Sequence, residues 1–154
     1  MPEKIVILSA RRTPIGSFQG VLSAVSAPQL GAAAARAALA DAGVSGDAIE
    51  EVIFGCVLPA GLGQAPARQA ALAAGLAQSV PATTVNKMCG SGMKALMIAS
   101  DQILAGHARF SLAGGLESMS NAPYLLLKAR AGYRMGHSEL IDHMFYDGLQ
   151  SPWD

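Results

Sequence analysis

Short apolar runs rich in β-branched residues alternate along this chain with alanine-rich stretches that end at glycine. That alternation limits the possible folds more than any other feature. The apolar runs are residues 4–10 (KIVILSA), 49–58 (IEEVIFGCVL), 82–86 (ATTVN) and 108–113 (ARFSLA). Each is short and bounded by turn residues, which predicts a buried strand. Between them lie three helical stretches. Ser26 reads as an N-cap with Pro28 in the first turn, and Gln29 completes a Ser-x-x-Gln capping box. That helix stops at Gly43, a good left-handed terminator. Pro66 opens a second helix ending near Gly75, and a third runs from about Gly92 to about Leu104. The order βαβαβαβ predicts an α/β fold with a mostly parallel sheet and right-handed crossovers.

Composition narrows the functional classes. The chain has 154 residues, and its 11 Lys+Arg balance its 11 Asp+Glu. A nucleic-acid binder would need a basic stripe over the phosphates, so that class is not expected. Hydrophobic residues make up 51%, enough for a packed core. Charged residues make up only 14%, low for a self-contained surface, so a partner surface is expected. The longest helix-like apolar run, residues 30–40, is too short to span a bilayer and contains Arg36. The N-terminus has no basic region ahead of its apolar run and does not read as a signal peptide. Two cysteines, Cys56 and Cys89, make no disulfide framework, and a cytoplasmic location is expected.

The alternation stops after Gly115. Residues 116–154 hold Lys128, Arg130, Arg134, His137, His143 and five aromatics, with no clear strand pattern. The chain therefore divides into an α/β region, 1–115, and a compositionally distinct region, 116–154, expected to leave the sheet.

The informative stretch is NKMCGSGMKA, residues 86–95, where a strand ends and a helix begins with Cys89 at the junction. A helix N-terminus favours a nucleophilic thiolate and can hold an oxyanion. Gly90 and Gly92 leave room for an acyl group. The layout is like a nucleophile elbow. The same residues also fit a small buried cysteine at a tight turn. Cys56, in mid-strand, reads as a packing residue.

NKMCGSGMKA resembles the active-cysteine motif of the thiolases, the family of acetyl-CoA acetyltransferases and 3-ketoacyl-CoA thiolases. ARRTPIGSFQG, GCVLPAGLGQAPARQAA, AGGLESMSNAPY and RAGYRMGHSELIDHMFYDGL resemble further family segments in the same order, so the similarity covers essentially the whole chain. The resemblance implies that Cys89 carries an acyl group as a thioester. The acyl then passes to CoA or to the α-carbon of acetyl-CoA. It implies coenzyme A thioesters as substrates, with no permanently bound cofactor and no metal. It also implies homo-oligomers or a complementing C-terminal half as partner. In the family, two βαβαβαββ halves form an αβαβα sandwich. The activating histidine, the second cysteine and the oxyanion-holding asparagine–histidine pair lie in the second half, with no counterpart here. The last strand of the first half is also lacking, and residues 116–154 match the start of the inserted loop domain. The expectation is thus an N-terminal thiolase portion that needs a second half, or else a non-catalytic remnant that binds a full-length thiolase. A ketoacyl synthase fits less well, because NKMCGSGMKA and GGLESMSN point to thiolases.

Other residues are weighed on their own chemistry. GLGQAP, residues 61–66, lacks the third glycine of a dinucleotide fingerprint and reads as a loop. Glu117, after two glycines, reads as a turn cap in preference to a catalytic carboxylate. His137 and His143 stand six apart without further ligands, so no metal site is expected. The basic stretch 128–137 reads equally as a solvated hairpin or as a surface for CoA phosphates. Arg68 reads as a packing or interface residue. The helix after Cys89 is apolar over much of its surface and is expected to be exposed without a partner.

Overall fold

The computed structural model describes residues 4–153. The outer limits of the two expected regions, residues 1–3 and 154, lie outside them, as does the start of the leader reading. Ser26 caps helix α1 (Ala27–Ala42) with both halves of the capping box formed, and Gly43 ends it at φ 63°. Helix α2 spans Pro66–Ala73, and α3 spans Ser91–Leu104. Strands β1 (Glu51–Gly55), β2 (Ala82–Val85) and β3 (Ser111–Gly115) form a parallel sheet of order β2-β1-β3. Val52 pairs with Ala82 on one side and with Leu112 on the other.

Strand β1 is central, and its alternating side chains divide the core between two helical layers. Val52, Phe54 and Cys56 pack with Ala27 and Ala35 of α1 and Ala67, Ala70 and Ala71 of α2. Ile53, on the opposite face, packs with Ala95 and Ala99 of α3. The helix faces in the core are nearly all alanine or glycine, so the layers approach closely. A side chain on Gly31 would come within 2.8 Å of Leu116 and 3.4 Å of Ala70.

One expected strand does not form. Residues 4–10 join no ladder, and Ile5, Val6, Ile7 and Leu8 are 37–70% exposed. The parallel sheet therefore has three strands among the described residues, not the four of βαβαβαβ. Residues 4–11 and the 108–115 segment instead both line a cleft of about 760 Å³. The reason is geometric. A β-branched run gives strand propensity, but a strand also needs a neighbour's backbone within ladder distance, about 4.8 Å. The segment is tethered at its far end, where the Ser9 hydroxyl donates to Asp41 at 2.7 Å and Arg11 pairs with the same carboxylate. These two donors hold the Asp41 carboxyl below the usual carboxylate range.

Beyond Gly115 the chain leaves the sheet. Strands β4 (Tyr124–Leu125) and β5 (Ile141–Asp142) make a short antiparallel ladder, which the sequence pattern does not signal. A π-helical turn follows over Met144–Leu149. The region is tied back by Asn121, whose side-chain amide donates to the carbonyls of Ser23 and Val25 at 2.9 and 3.0 Å. Among the described residues no helix is long and apolar enough to cross a membrane.

The cap on α1 gives a stability prediction. Ser26→Ala removes the acceptor for the Gln29 amide and should lower the unfolding free energy by about 1 kcal/mol. Ser26→Thr should lose much less. Urea denaturation of the three proteins measures both.

Candidate functional site

Strand β2 ends at Val85, and α3 begins at Ser91 after five intervening residues. Side chains at both ends clamp the turn between them. Asn86 Oδ1 accepts from the Met88 amide at 2.9 Å, and the Asn86 amide group donates to the Val57 carbonyl at 3.5 Å. Ser91 Oγ accepts from the Lys87 amide at 2.8 Å and donates to the Met88 carbonyl at 2.5 Å. The turn places Met88 at φ 48°, left-handed and strained for a residue with a side chain. Cys89 follows directly and is exposed, just ahead of α3, whose N-cap Gly90 has no side-chain cap.

Glycines seat this helix start on the sheet. A Cβ on Gly55 would lie 2.5 Å from the Ser91 carbonyl carbon, and one on Gly115 would lie 3.3 Å from the Gly92 Cα. Side chains there would push the helix away. The C-terminal ends of β1 and β3 therefore meet the first turn of α3 directly, and ligand crevices in α/β sheets form at such strand ends.

Cys89 borders a cavity of about 410 Å³, within the range of small-molecule sites. Leu58, Met88, Leu116, Met119 and Leu149 supply most of its apolar wall. Glu117 is its one charged lining residue among the described residues, and its carboxylate is already engaged. It accepts from the amides of Val57 at 2.8 Å and Leu58 at 3.1 Å, and from the Cys56 thiol at 3.6 Å. Glu117 thus takes the structural part, fixing the loop that leaves β1. Cys56 is buried, and burial together with the Glu117 charge and hydrogen bond pushes its thiol up to about 12.

The three histidines stand apart from the cavity lining. His107 Nδ1 meets Gln102 Oε1 at 2.9 Å, and His137 is exposed. His143 is buried, with Nε2 accepting from the Ala60 amide at 3.4 Å and Nδ1 at 2.5 Å from Asp147. The sequence reading weighed His143 only as a metal ligand. The signal available for its real setting was Asp147 four residues on, one turn away on the same face. Arg68 donates to the carbonyls of Val80 and Gln78, each at 2.5 Å, and so pins the chain entering β2. The loop 61–65 is held by Gln69, which donates to the Leu62 and Gln64 carbonyls. Among the described residues no three His, Cys, Asp or Glu side chains group as metal ligands would.

The family model described as "Thiolase, N-terminal domain" matches residues 5–154. An acetyl-CoA acetyltransferase of Cupriavidus necator is 53% identical over 150 residues, covering 97% of this chain and 37% of that protein. One from Pseudomonas aeruginosa is 52% identical over 152 residues, covering 99% of this chain and 38% of the relative. Acetyl-CoA acetyltransferase 2 of Arabidopsis thaliana is 53% identical over 153 residues, covering 99% and 37%. The chain therefore spans well under half the length of these relatives.

The contrast between the two thiols is directly testable. Iodoacetamide at pH 8 should label Cys89 in the native protein and Cys56 only after unfolding, as read by peptide mass analysis. The raised Cys56 thiol also has a stability consequence. Above the ordinary thiol value of 9.0 the unfolded chain loses this proton, while the folded chain keeps it to about 12. Unfolding free energy should therefore fall between those pH values. Cys56→Ala should show a shallower fall in parallel urea titrations.

Proposed function

We propose, from the premise that this chain belongs to the thiolase family, that Cys89 is the acyl-carrying nucleophile of an acyl-CoA C-acyltransferase. The observation that carries this reading is the exposed Cys89 sulfur at the start of α3, on the rim of an apolar cavity of about 410 Å³. The chemistry follows from that placement. The Cys89 thiolate attacks the thioester carbonyl of an acyl-CoA, and the carbonyl electron pair moves onto oxygen. Cys89 lies two residues ahead of α3, and the positive dipole end and unsatisfied N–H groups of a helix start favour that oxyanion. The oxyanion collapses, the CoA thiolate leaves, and the acyl group remains on sulfur as a thioester. It then passes to CoA, or to the α-carbon of acetyl-CoA after that carbon has lost a proton. The glycines at 90 and 92 keep the approach to sulfur clear of side chains.

The groups that take the thiol proton and the α-carbon proton would come from a complementing C-terminal half, in the same assembly or as part of the same polypeptide. Coenzyme A thioesters serve as substrates, no cofactor stays bound, and the assembly is an oligomer working in the cytoplasm. Residues 1–115 form the α/β region and 116–154 the start of the loop region, an assignment supported by the departure of the chain from the sheet after Gly115.

A second reading has its own observation. Helix α3 exposes Met93 at 73%, Met97 at 52% and Leu104 at 61%. An apolar face of this kind suits a non-catalytic chain that docks on a full-length thiolase.

Intact-mass measurement after exposure to acetyl-CoA separates the two readings. The chain is measured alone and with a supplied C-terminal thiolase half. The expected result is a single acetyl adduct on Cys89 when the second half is present, absent in Cys89→Ala. Complex formation without any adduct supports the docking reading instead.

A further inference from the structure

The wall of the Cys89 cavity is held from two sides. Glu117 fixes Val57 and Leu58 from the sheet side. On the other side stands the π-helical turn Met144–Leu149, which contributes Gly148 and Leu149 to the cavity. A Cβ added to Gly148 would come within 3.2 Å of Leu58, so the turn rests directly on that wall.

His143 is the hinge between the turn and the wall. It is 5% exposed, and its backbone amide and both ring nitrogens are engaged. Its backbone amide donates to the Pro123 carbonyl at 3.1 Å. Nε2 accepts from the Ala60 amide at 3.4 Å, two residues past Leu58. Nδ1 lies 2.5 Å from Asp147, within the π turn itself. Because Nε2 accepts, the ring proton sits on Nδ1 and is donated to Asp147. One imidazole thus joins the loop after β1 to the turn across the cavity.

We propose that His143 is a positioning residue that locks the Met144–Leu149 turn over the cavity and so sets how much of an acyl chain the site beside Cys89 accepts. Its functional meaning rests on the reading of Cys89 as acyl carrier, but its geometry does not. Without the imidazole the turn would keep its backbone tie to Pro123 and the Gly148 contact but lose its link to the loop after β1, and the cavity wall would be free to open.

Alkyl methanethiosulfonates test this without requiring thiolase activity. They transfer an alkylthio group to a cysteine thiolate, forming a disulfide and releasing methanesulfinate. The readout is the ratio of hexyl to methyl reaction rates at Cys89, located by peptide mass analysis and normalised to free cysteine. The parent protein should show a raised ratio. His143→Ala should lower it about ten-fold, the effect of about two methylenes no longer buried. His143→Gln, which can still accept from the Ala60 amide, should recover most of the parent ratio. Should His143→Ala fail to fold by circular dichroism, Asp147→Ala serves in its place, since that side chain is partly exposed, at 42%. It should lower the ratio in the same direction.

A parent ratio equal to that of free cysteine overturns the proposal. So does an unchanged ratio in folded His143→Ala or in Asp147→Ala, and so does a glutamine variant no better than alanine. Absence of an acetyl adduct from acetyl-CoA would leave these ratios standing, so the two readings fail separately.

Discussion

The contact between Gly55 and Ser91 is the constraint on which the rest of this structure depends. No side chain fits at Gly55, because a Cβ there would lie 2.5 Å from Ser91. The first turn of α3 consequently rests on the end of β1. Ser91 in turn closes the strained turn around Met88 through two hydrogen bonds. The strain at Met88 persists because Asn86 and Ser91 over-determine the turn from both sides. Cys89 is left exposed on the cavity border as a result, just ahead of the helix start. If the helix moved outward by the width of a methyl group, the turn, the cavity rim and the orientation of Cys89 would move with it.

Two cysteines of one chain acquire opposite chemistry from their surroundings. Cys56 ends the buried face of β1 and faces a carboxylate, so loss of its proton is opposed by burial and by charge. Cys89 stands four residues beyond β2 and faces the cavity instead. Glu117 links the two settings. It raises the Cys56 thiol while holding the loop that forms one wall at Cys89. Reactivity is thus separated by position in the fold and not by residue type.

The low charge fraction corresponds to surfaces left uncovered. Residues 5–8 line a cleft and are exposed, and the outer face of α3 carries exposed methionine and leucine. Both are apolar surfaces that a partner or further chain would bury. The relatives reported above are more than twice as long as this chain, which agrees with such a role for these faces.

The sequence by itself determined the elements whose signals are local. Ser26, Gln29 and Gly43 bounded α1, Pro66 opened α2, and the apolar runs at 49–58, 82–86 and 108–113 held strands, over 51–55, 82–85 and 111–115. It also determined the strand-to-helix junction at Cys89, because Asn86, Ser91 and the glycines act within a few residues of one another. Only the tertiary structure decided what depends on distant partners. Residues 4–10 have the composition of a strand, yet they join no ladder, and periodicity carries no information about available partners. Glu117 became a clamp because the loop after β1, sixty residues earlier, returns beside it. His143 became a buried bridge because Ala60 and Asp147 meet on either side of its ring. Burial and hydrogen bonding across such separations are properties of packing, and a linear pattern records them only after the chain has folded.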